Sequence, residues 1–258
     1  MHILTKKLKY VFYIFVIFLL PIITLSSLVN IFEKKDDISK YVKSYFGTSS
    51  SIYDVSEDDL FWARELLKGG YILHFRHAER DKWIDVQMYD ALESDLTQKY
   101  ENEVRYAEND YFSDAVCLNE RGKTQAIAIG EHIANIGLPI GLRVSSVSCR
   151  ARQTAELAFG GFDSMHRILV HNGPYNEESK NRISSLRDFY LKLPIVEGKN
   201  TIVSSHNGVI FCEIFDNYCG YLSLEEGGFY VISNKNGKLI LEHEFHNYNH
   251  FNRIFYKR

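Results

Sequence analysis

Strand-length apolar runs alternate with amphipathic, helix-length segments between residues 58 and 245, and this alternation restricts the possible folds. The strand-like runs are YILHF at 71–75, RVSSVS at 143–148, RILVH at 167–171 and the first part of NTIVSSHNGVIFCEIF at 200–215. The first helical segment begins at Asp58. The other helical segments are 118–137, 150–159, 181–193 and the second part of 200–215. Such alternation predicts an α/β domain with a largely parallel sheet. The run at 229–245 predicts a hairpin that turns at Asn236-Gly237.

Charged and titratable side chains follow three of these strands. Arg76 and His77 end the first strand, Arg150 and Arg152 follow the second, and His206 follows the last. Because ligands collect at the carboxyl ends of strands in open α/β sheets, we expect these side chains to lie close together. Cations crowded in this way repel one another unless an anion lies between them, and phosphate suits the planar donor fork of arginine. A histidine in such a site can donate a hydrogen bond or act as a nucleophile near neutral pH.

Four segments resemble, in order and spacing, the signature segments of the histidine phosphatase superfamily, which is also called phosphoglycerate-mutase-like. RHAE at 76–79 is similar to its RHG or RHAE signature, and LNERGKTQA at 118–126 is similar to L-T-x-x-G-x-x-Q-A. SSVSCRARQTA at 145–155 resembles S-S-x-x-x-R-A-x-Q-T-A, and SHNG at 205–208 resembles H-G-G or H-x-x. The match covers about residues 70–245. It implies a three-layer sandwich in which helices flank a mostly parallel central sheet.

The resemblance also implies a mechanism. His77 would attack the phosphorus atom in line and form a phosphohistidine, which water then hydrolyses. Arg76, Arg150 and His206 would hold the phosphoryl oxygens and stabilise their charge. This route needs no metal and no other cofactor. Arg80 is a candidate substrate-binding cation, although it could equally be a solvated loop residue.

Five further residues of these segments are interpreted as structural. Arg152 is expected on a different face of its helix from the phosphate-binding arginine. Gln125, Gln153 and Thr154 stand at motif positions that support the pocket rather than perform chemistry. Glu79 follows the nucleophile and is interpreted as the partner of a cation.

The proton donor for the leaving group has two candidates. One branch of the superfamily uses a Glu between the second arginine block and the second histidine, and PYNEESKNR at 174–182 offers Glu178 and, close behind it, Glu177. Either could instead be an acidic residue at a helix N-terminus. The other branch uses an Asp directly after the second histidine, which Asn207 excludes. A second departure, Val147 where proline is common, does not block the chemistry.

The N-terminus predicts export of the domain. Lys6, Lys7 and Lys9 precede an uncharged run at 11–29, whose length suits a membrane-spanning helix that Pro21 would kink. A cleaved signal peptide is the alternative, although the run is long for one and no clear cleavage site follows it. The predicted organisation is a cytoplasmic tail with anchor or signal sequence at 1–31, a stalk at 32–57 and a phosphatase domain at 58–258.

An acidic insertion interrupts the domain at 81–116, where ten acidic residues accompany three basic ones. It is either a lid over the site or a solvated surface excursion.

Export permits disulfides. Four cysteines without CxxC spacing make a zinc cluster improbable. They allow three pairings, or all four could be reduced and buried: Cys117, Cys149, Cys212 and Cys219.

Three other histidines are interpreted as structural. His243 and His246, in HEFHNYNH at 243–250, are three residues apart on a predicted strand and therefore face opposite sides, which disfavours a metal site. His74 is expected to be a hydrogen-bonded strand residue near the pocket.

These observations predict an exported, membrane-anchored phosphomonoesterase whose substrate is a small phosphate ester or a phosphorylated surface glycan. RHAER at 76–80, together with export, resembles the lipopolysaccharide core heptose-phosphate phosphatases. The alternatives are a phosphate-binding protein without turnover on the same fold and a phosphohistidine-protein phosphatase or mutase. The net charge of −3 provides no strong attraction to nucleic acid.

Overall fold

The structure, a computed structural model, describes residues 55–81, 116–170, 179–209, 212–218 and 220–256. All of them belong to the unit Val55–Arg258. Several predicted features lie outside the described residues, namely the apolar segment 11–29, nearly all of the acidic insertion, and the candidate acids Glu177 and Glu178. None of the helices in the described ranges combines the length and the apolar character that crossing a membrane requires.

A mixed sheet forms the centre of the described domain. Its strands are β1 Ile72–Arg76, β2 Ile140–Ser146, β3 Ser164–His166, β4 Asn200–Ser205, β5 Phe229–Lys235 and β6 Lys238–Phe245, in the order β3-β2-β4-β1-β5-β6. The first four strands pair in parallel, whereas β5 runs antiparallel to both β1 and β6. The predicted hairpin is confirmed, because Asn236 and Gly237 have φ values of 55° and 76°, as its tight turn requires.

Helices cover both faces of this sheet. They are α1 Glu57–Leu66, α2 Glu120–Ile136, α3 Cys149–Phe159, α4 Ser179–Lys192 and α5 Tyr248–Tyr256. Leu73 and Phe75 of β1 pack in one apolar cluster with residues of α1, α2, α3 and α5, while Ile72 packs in a second cluster with residues of α4. Alternate residues of a strand point to opposite faces, so β1 is buried on both sides. The result is a mixed α/β sheet with flanking helices.

The prediction of a strand at 167–171 is wrong. β3 ends at His166, and Arg167–Leu169 form a 3₁₀ turn. The strand lasts only as far as its pairing with β2, whose last residue, Ser146, pairs with His166. Beyond that point the chain bonds elsewhere, and the Leu169 carbonyl accepts a hydrogen bond from Ser205 Oγ at 2.8 Å.

The prediction of a helix after β4 is also wrong in the residues that are described there. Asn207–Val209 and Cys212–Ile214 are two separate 3₁₀ turns. Asn207 does not support a continuing helix, because its Oδ1 accepts a hydrogen bond from the Leu224 N–H at 2.6 Å. This contact joins the turn to a loop that is distant in sequence.

No helix is predicted after the hairpin at 229–245, so α5 is missed. β6 ends at Phe245, and Asn247 Oδ1 then accepts a hydrogen bond from the Asn249 N–H at 2.9 Å, a contact typical of a helix start. Phe251 of α5 is buried against the sheet.

A disulfide joins Cys117 to Cys149, which selects one of the pairings left open above. Cys149 is the first residue of α3 and directly precedes Arg150. On the other side of the bond, the carbonyl of Val116 lies 3.4 Å from Arg150 Nη1. The disulfide therefore ties the segment before α2 to the end of α3 that carries the predicted phosphate-binding arginine.

We expect Cys149→Ser to lower the free energy of unfolding by about 3–4 kcal/mol, because the bond closes a loop with a sequence separation of 32. Urea denaturation of the oxidised protein measures the loss. Cys117→Ser, at the other end of the same bond, should lose a similar amount. Equal stability of the oxidised wild type and Cys149→Ser would contradict the prediction.

Candidate active site

The structure brings together the side chains that the sequence places at three strand ends. β1 and β4 are neighbours and their pairing ends at Arg76 and Ser205, so His77 and His206 follow side by side. Their ring centres are 5.2 Å apart with the rings edge to face. Arg150 is fully buried at the start of α3, which follows β2, the other neighbour of β4. The four predicted pocket residues thus share one edge of the sheet.

The hydrogen bonding of His77 determines which ring nitrogen is available for chemistry. Nδ1 lies 2.7 Å from the Ala78 carbonyl oxygen. A carbonyl oxygen only accepts, so Nδ1 carries the proton and donates it, and in the neutral ring Nε2 keeps its lone pair. A buried imidazole in this tautomer has the nucleophilic nitrogen that in-line attack requires.

The surroundings of His77 keep the ring neutral. Burial is the largest cause, and the positive charges of Arg150 and Arg76 act in the same direction, so the pKa of His77 lies well below its usual value of 6.5. The hydrogen bond to the Ala78 carbonyl opposes this shift but does not reverse it. The lone pair on Nε2 is therefore present at neutral and mildly acidic pH.

Arg76 is held by the loop that precedes β5. Its Nη1 donates to the Leu224 carbonyl, and its Nη2 lies 3.5 Å from Glu226 Oε1. Burial lowers the pKa of Arg76, as does the nearby charge of Arg150, while Glu226 opposes the shift. The buried Nε of Arg76 has no hydrogen-bond partner in the described part of the chain. This guanidinium therefore keeps an N–H donor for an anion.

His206 is oriented by two serine hydroxyls that follow or end β2. Its Nε2 lies 3.1 Å from Ser148 Oγ and 3.2 Å from Ser146 Oγ. Both serines are buried. Both serines belong to the motif at 145–155, but the sequence assigns them no role, because their contact with His206 depends on the pairing of β2 with β4.

Arg80 and Arg152, which are not among the predicted catalytic residues, differ in position. Arg80 is partly buried, its Nη1 donates to the Asp81 carbonyl at 2.8 Å, and its charge helps to lower the pKa of His77. It therefore lies near the pocket. Arg152 is buried, and its Nε donates to the Val147 carbonyl at 3.1 Å. That bond fits the structural role expected for Arg152.

The motif residues interpreted as structural make the contacts that such a role requires. Thr154 Oγ1 accepts from the Ala78 N–H at 3.0 Å, next to His77, and Gln153 Oε1 accepts from the Leu118 N–H at 2.8 Å. Gln125 accepts from the Glu79 N–H at 2.9 Å and donates to the Glu226 carbonyl at 2.8 Å. The Glu79 carboxylate pairs with Arg121, which is the cationic partner expected for it.

The segment LNERG brings α2 against the loop after β1. Asn119 Oδ1 caps α2 by accepting from the Gly122 N–H at 2.8 Å. A Cβ on Gly122 would lie 1.9 Å from the Glu79 carbonyl oxygen, so no larger residue fits this close approach. The glycine of the motif thus allows close packing against the segment that follows His77.

The loop at 224–228 is a part of the site that carries no signal in the sequence. The Gly227 N–H lies 3.2 Å from the carbonyls of both Arg76 and His77. Gly227 has a φ of 81°, and a Cβ there would lie 3.0 Å from Gln125 Nε2. The loop therefore wraps the end of β1 and presents Glu226 to Arg76.

The other histidines are engaged in structural contacts. His243 lies between two carboxylates of α1, 3.0 Å from Asp58 Oδ2 and 2.8 Å from Asp59 Oδ1. His246 Nδ1 lies 2.8 Å from the Ser223 carbonyl oxygen and also contacts Glu244. In the described ranges no group of three or more potential ligand side chains could hold a metal ion.

We expect two imidazoles to titrate in opposite directions. His77 should remain neutral as the pH falls through 6.5, because burial and two arginines lower its pKa. His246 should remain protonated above neutrality, because Glu225 and Glu244 raise its pKa to about 10. Histidine ring NMR measures both, with His77→Gln and His246→Gln to assign the signals. A midpoint for His77 at or above 6.5 would contradict the prediction.

We also expect the domain to lose stability as the pH falls from 6.5 to about 4. Burial lowers the pKa of His74 to about 4 and that of His77 well below 6.5. Below 6.5 the unfolded chain therefore binds protons that the folded domain does not, which favours unfolding. Urea denaturation at several pH values measures this loss, and His74→Gln should reduce its slope. A rise in stability on acidification would contradict the prediction.

Comparison with known proteins identifies neighbours only at the level of structure. No model of a protein family matches the chain, and no curated protein matches it. A structure of the protein histidine phosphatase SixA with tungstate is 12% identical, with a TM-score of 0.45, over 68% of this chain and 96% of that one.

Two structures of phosphoserine phosphatase from Entamoeba histolytica are also 12% identical to this chain. The complex with 3-phosphoglyceric acid has a TM-score of 0.43 over 69% of this chain and 98% of that one. A variant with phosphoserine has a TM-score of 0.41 over 68% and 96%. The solved structures similar to this chain therefore include a protein histidine phosphatase and a phosphoserine phosphatase, at low sequence identity.

Proposed function

We propose that the domain is a phosphomonoesterase that acts through a phosphohistidine on His77. The observation that carries this proposal is the placement of the His77 ring. It is buried, Nδ1 donates to a carbonyl, and burial together with the positive charges of Arg150 and Arg76 keeps Nε2 unprotonated. A histidine needed only for packing does not require a fully buried arginine, a second, partly buried arginine and a second histidine around it.

The charges at the site favour a phosphate ligand. Arg76 and Arg150 are close enough that the charge of Arg150 lowers the pKa of Arg76. Glu226 is the carboxylate that contacts Arg76, at 3.5 Å, so it offsets part of this repulsion. A phosphoryl group between the arginines would offset more of it and would accept from the buried Nε of Arg76.

The proposed reaction has two displacements at phosphorus. The Nε2 lone pair of His77 forms the P–N bond while the P–O bond to the leaving group breaks, and Arg76, Arg150 and His206 hold the phosphoryl oxygens. Glu178, or Glu177 next to it, is proposed to protonate the leaving oxygen. Water then breaks the P–N bond, releases inorganic phosphate and regenerates neutral His77. The arginines supply the positive charge at each step, so we propose a metal-independent route.

Location and substrate class form a second part of the proposal. The disulfide at Cys117 and Cys149 is the kind of bond that persists in oxidising compartments. Together with the uncharged run at 11–29, it supports an exported domain that is anchored in the membrane, or secreted if that run is cleaved. We propose a small phosphate ester or a phosphorylated surface glycan as the substrate.

Trapping the intermediate tests the proposed chemistry. The full-length protein is mixed with ³²P-labelled phenyl phosphate in the presence of a chelator and denatured with alkali within milliseconds. We expect label that is stable to alkali, lost in acid, and located on the peptide that contains His77. Turnover without alkali-stable label on that peptide would contradict the nucleophile. Phosphate binding without label or turnover would favour the binding-protein alternative, and faster transfer from a phosphohistidine protein would favour the protein phosphatase.

A further inference from the structure

A buried histidine that the proposed chemistry does not use lies two residues before Arg76. His74 is on β1, and both of its ring nitrogens have hydrogen-bond partners. Nε2 lies 3.0 Å from the His206 carbonyl oxygen, and Nδ1 lies 2.6 Å from the Tyr190 hydroxyl. Because the carbonyl only accepts, Nε2 carries the proton and donates, and Nδ1 accepts from Tyr190. Hydrogen bonds therefore run in one direction, from Tyr190 of α4 through His74 to His206.

The hydrogen bond from His74 is made to the His206 carbonyl, which lies one residue beyond the last pair of β1 and β4. The pairing of β1 with β4 ends at Arg76 and Ser205, and the His77 N–H donates to the Ser205 carbonyl at 2.9 Å. The next carbonyl, that of His206, accepts from the His74 side chain instead. The bond fixes the orientation of the peptide group that follows His206, and with it the direction in which the His206 side chain leaves the chain.

The ring of His206 is held at its other end by serine hydroxyls. Its Nε2 contacts Ser146 and Ser148, and its centre is 5.2 Å from that of His77. The backbone contact from His74 and the ring contacts from the serines thus hold His206 at two separate points. Loss of either point would let the ring move relative to the nucleophile.

Packing alone does not require a histidine at position 74. The residue is fully buried and stacks on Tyr230, with ring centres 6.0 Å apart. An apolar side chain would fill this space without the cost of desolvating two ring nitrogens. The two nitrogens are accounted for by Tyr190 and the His206 carbonyl, so the orientation of His206 is what the imidazole adds.

We propose that His74, supported by Tyr190, is a positioning residue that orients His206 toward the phosphoryl group, an inference that rests on the proposed function of the site. His74 touches no reacting atom and acts through His206. The rate should therefore respond to the hydrogen bonds of His74 rather than to its volume.

Turnover of an aryl phosphate by the full-length protein provides the first test. We expect His74→Leu to lower kcat by about 30- to 100-fold, as small misplacements in active sites do, with a much smaller change in KM. His74→Gln should recover most of the rate, because its amide N–H can donate to the His206 carbonyl. Tyr190→Phe, which keeps the ring and removes only the hydroxyl, should lower kcat by about 3- to 10-fold.

A second buried tyrosine–histidine pair provides the matched control. The Tyr248 hydroxyl lies 2.7 Å from His132 Nδ1 and joins α5 to α2. Tyr248→Phe removes the same type of hydrogen bond without touching His206. We expect it to lower the unfolding temperature about as much as Tyr190→Phe does, and to leave kcat unchanged. An equal loss of kcat in both variants would overturn the inference, because general destabilisation would then explain it.

Orthovanadate distinguishes failure of this inference from failure of the proposed function, since it mimics the transition state of phosphoryl transfer and can be measured without turnover. We expect His74→Leu to weaken vanadate binding by about as much as it lowers kcat. In a His206→Ala background the same substitution should have little further effect. If the wild type shows no turnover, the proposed function fails, and vanadate affinities alone decide the inference. Equal losses with and without His206, or no loss in either, would overturn it.

Discussion

His77→Asn is expected to reduce kcat for an aryl phosphate by about 10⁴-fold or more, the size of loss found when a covalent nucleophile is removed. Asparagine is the informative replacement because its amide N–H can take the place of Nδ1–H and keep the hydrogen bond to the Ala78 carbonyl. The variant removes Nε2 while it can keep this hydrogen bond. Its loss of activity would therefore report on nucleophilicity rather than on local folding.

Steady-state turnover, measured with a chelator present, checks this result, and binding of inorganic phosphate shows whether the pocket persists. His132→Asn is the matched control, since His132 is also buried but lies on α2 and contacts Tyr248. We expect its kcat to equal that of the wild type. Residual turnover by His77→Asn within about tenfold of the wild type would identify a different nucleophile.

Arg150→Met is expected to lower kcat/KM by about 10³-fold. Arg150 is fully buried beside His77, where a charged donor is worth far more than in water, and loss of one such donor commonly costs a factor of 10²–10³. Removing its charge should also raise the pKa of His77, because Arg150 is the charge that lowers that pKa most. Activity and histidine NMR therefore provide two independent measurements of the same substitution.

Arg152→Met distinguishes this effect from a loss of buried charge in general. Arg152 is on the same helix and is also buried, but its Nε donates to the Val147 carbonyl. We expect the variant to lose stability, while kcat/KM stays within about threefold of the wild type. Comparable losses of kcat/KM in Arg150→Met and Arg152→Met would show that the helix, rather than one guanidinium, is what the site requires.

The sequence alone predicts those features that depend on neighbouring residues. The alternation of apolar runs and amphipathic segments is local, and so are the Asn236-Gly237 turn and the helix that ends at Gly137, whose φ is 68°. Arg76 and His77 end β1 as the sequence indicates. Parallel strands bring their carboxyl ends to one edge, so the meeting of these residues with His206 follows from the alternation itself.

Contacts between segments that are distant in sequence explain why one predicted helix is wrong and how a helix that is not predicted is held. The turns at 207–209 and 212–214 replace a predicted helix while Asn207 bonds Leu224, and α5 at 248–256 depends on packing against the sheet. The contact of Asn207 leaves no periodic pattern in the sequence, whereas Tyr248, Phe251 and Phe255 recur at helical spacing and could have indicated α5. Similarly, four cysteines permit several pairings, and only the folding of the chain brings Cys117 to Cys149.

In the candidate site, too, some features follow from the sequence and others only from the tertiary structure. The residue types at the strand ends, two arginines and two histidines, determine the chemistry, and they are legible in the sequence. Only the tertiary structure decides the tautomer of His77, the pairing of Arg76 with Glu226, and the bond from His74 to the His206 carbonyl. The last two contacts join residues 150 and 132 positions apart, and only the order of strands in the sheet brings them within hydrogen-bonding distance.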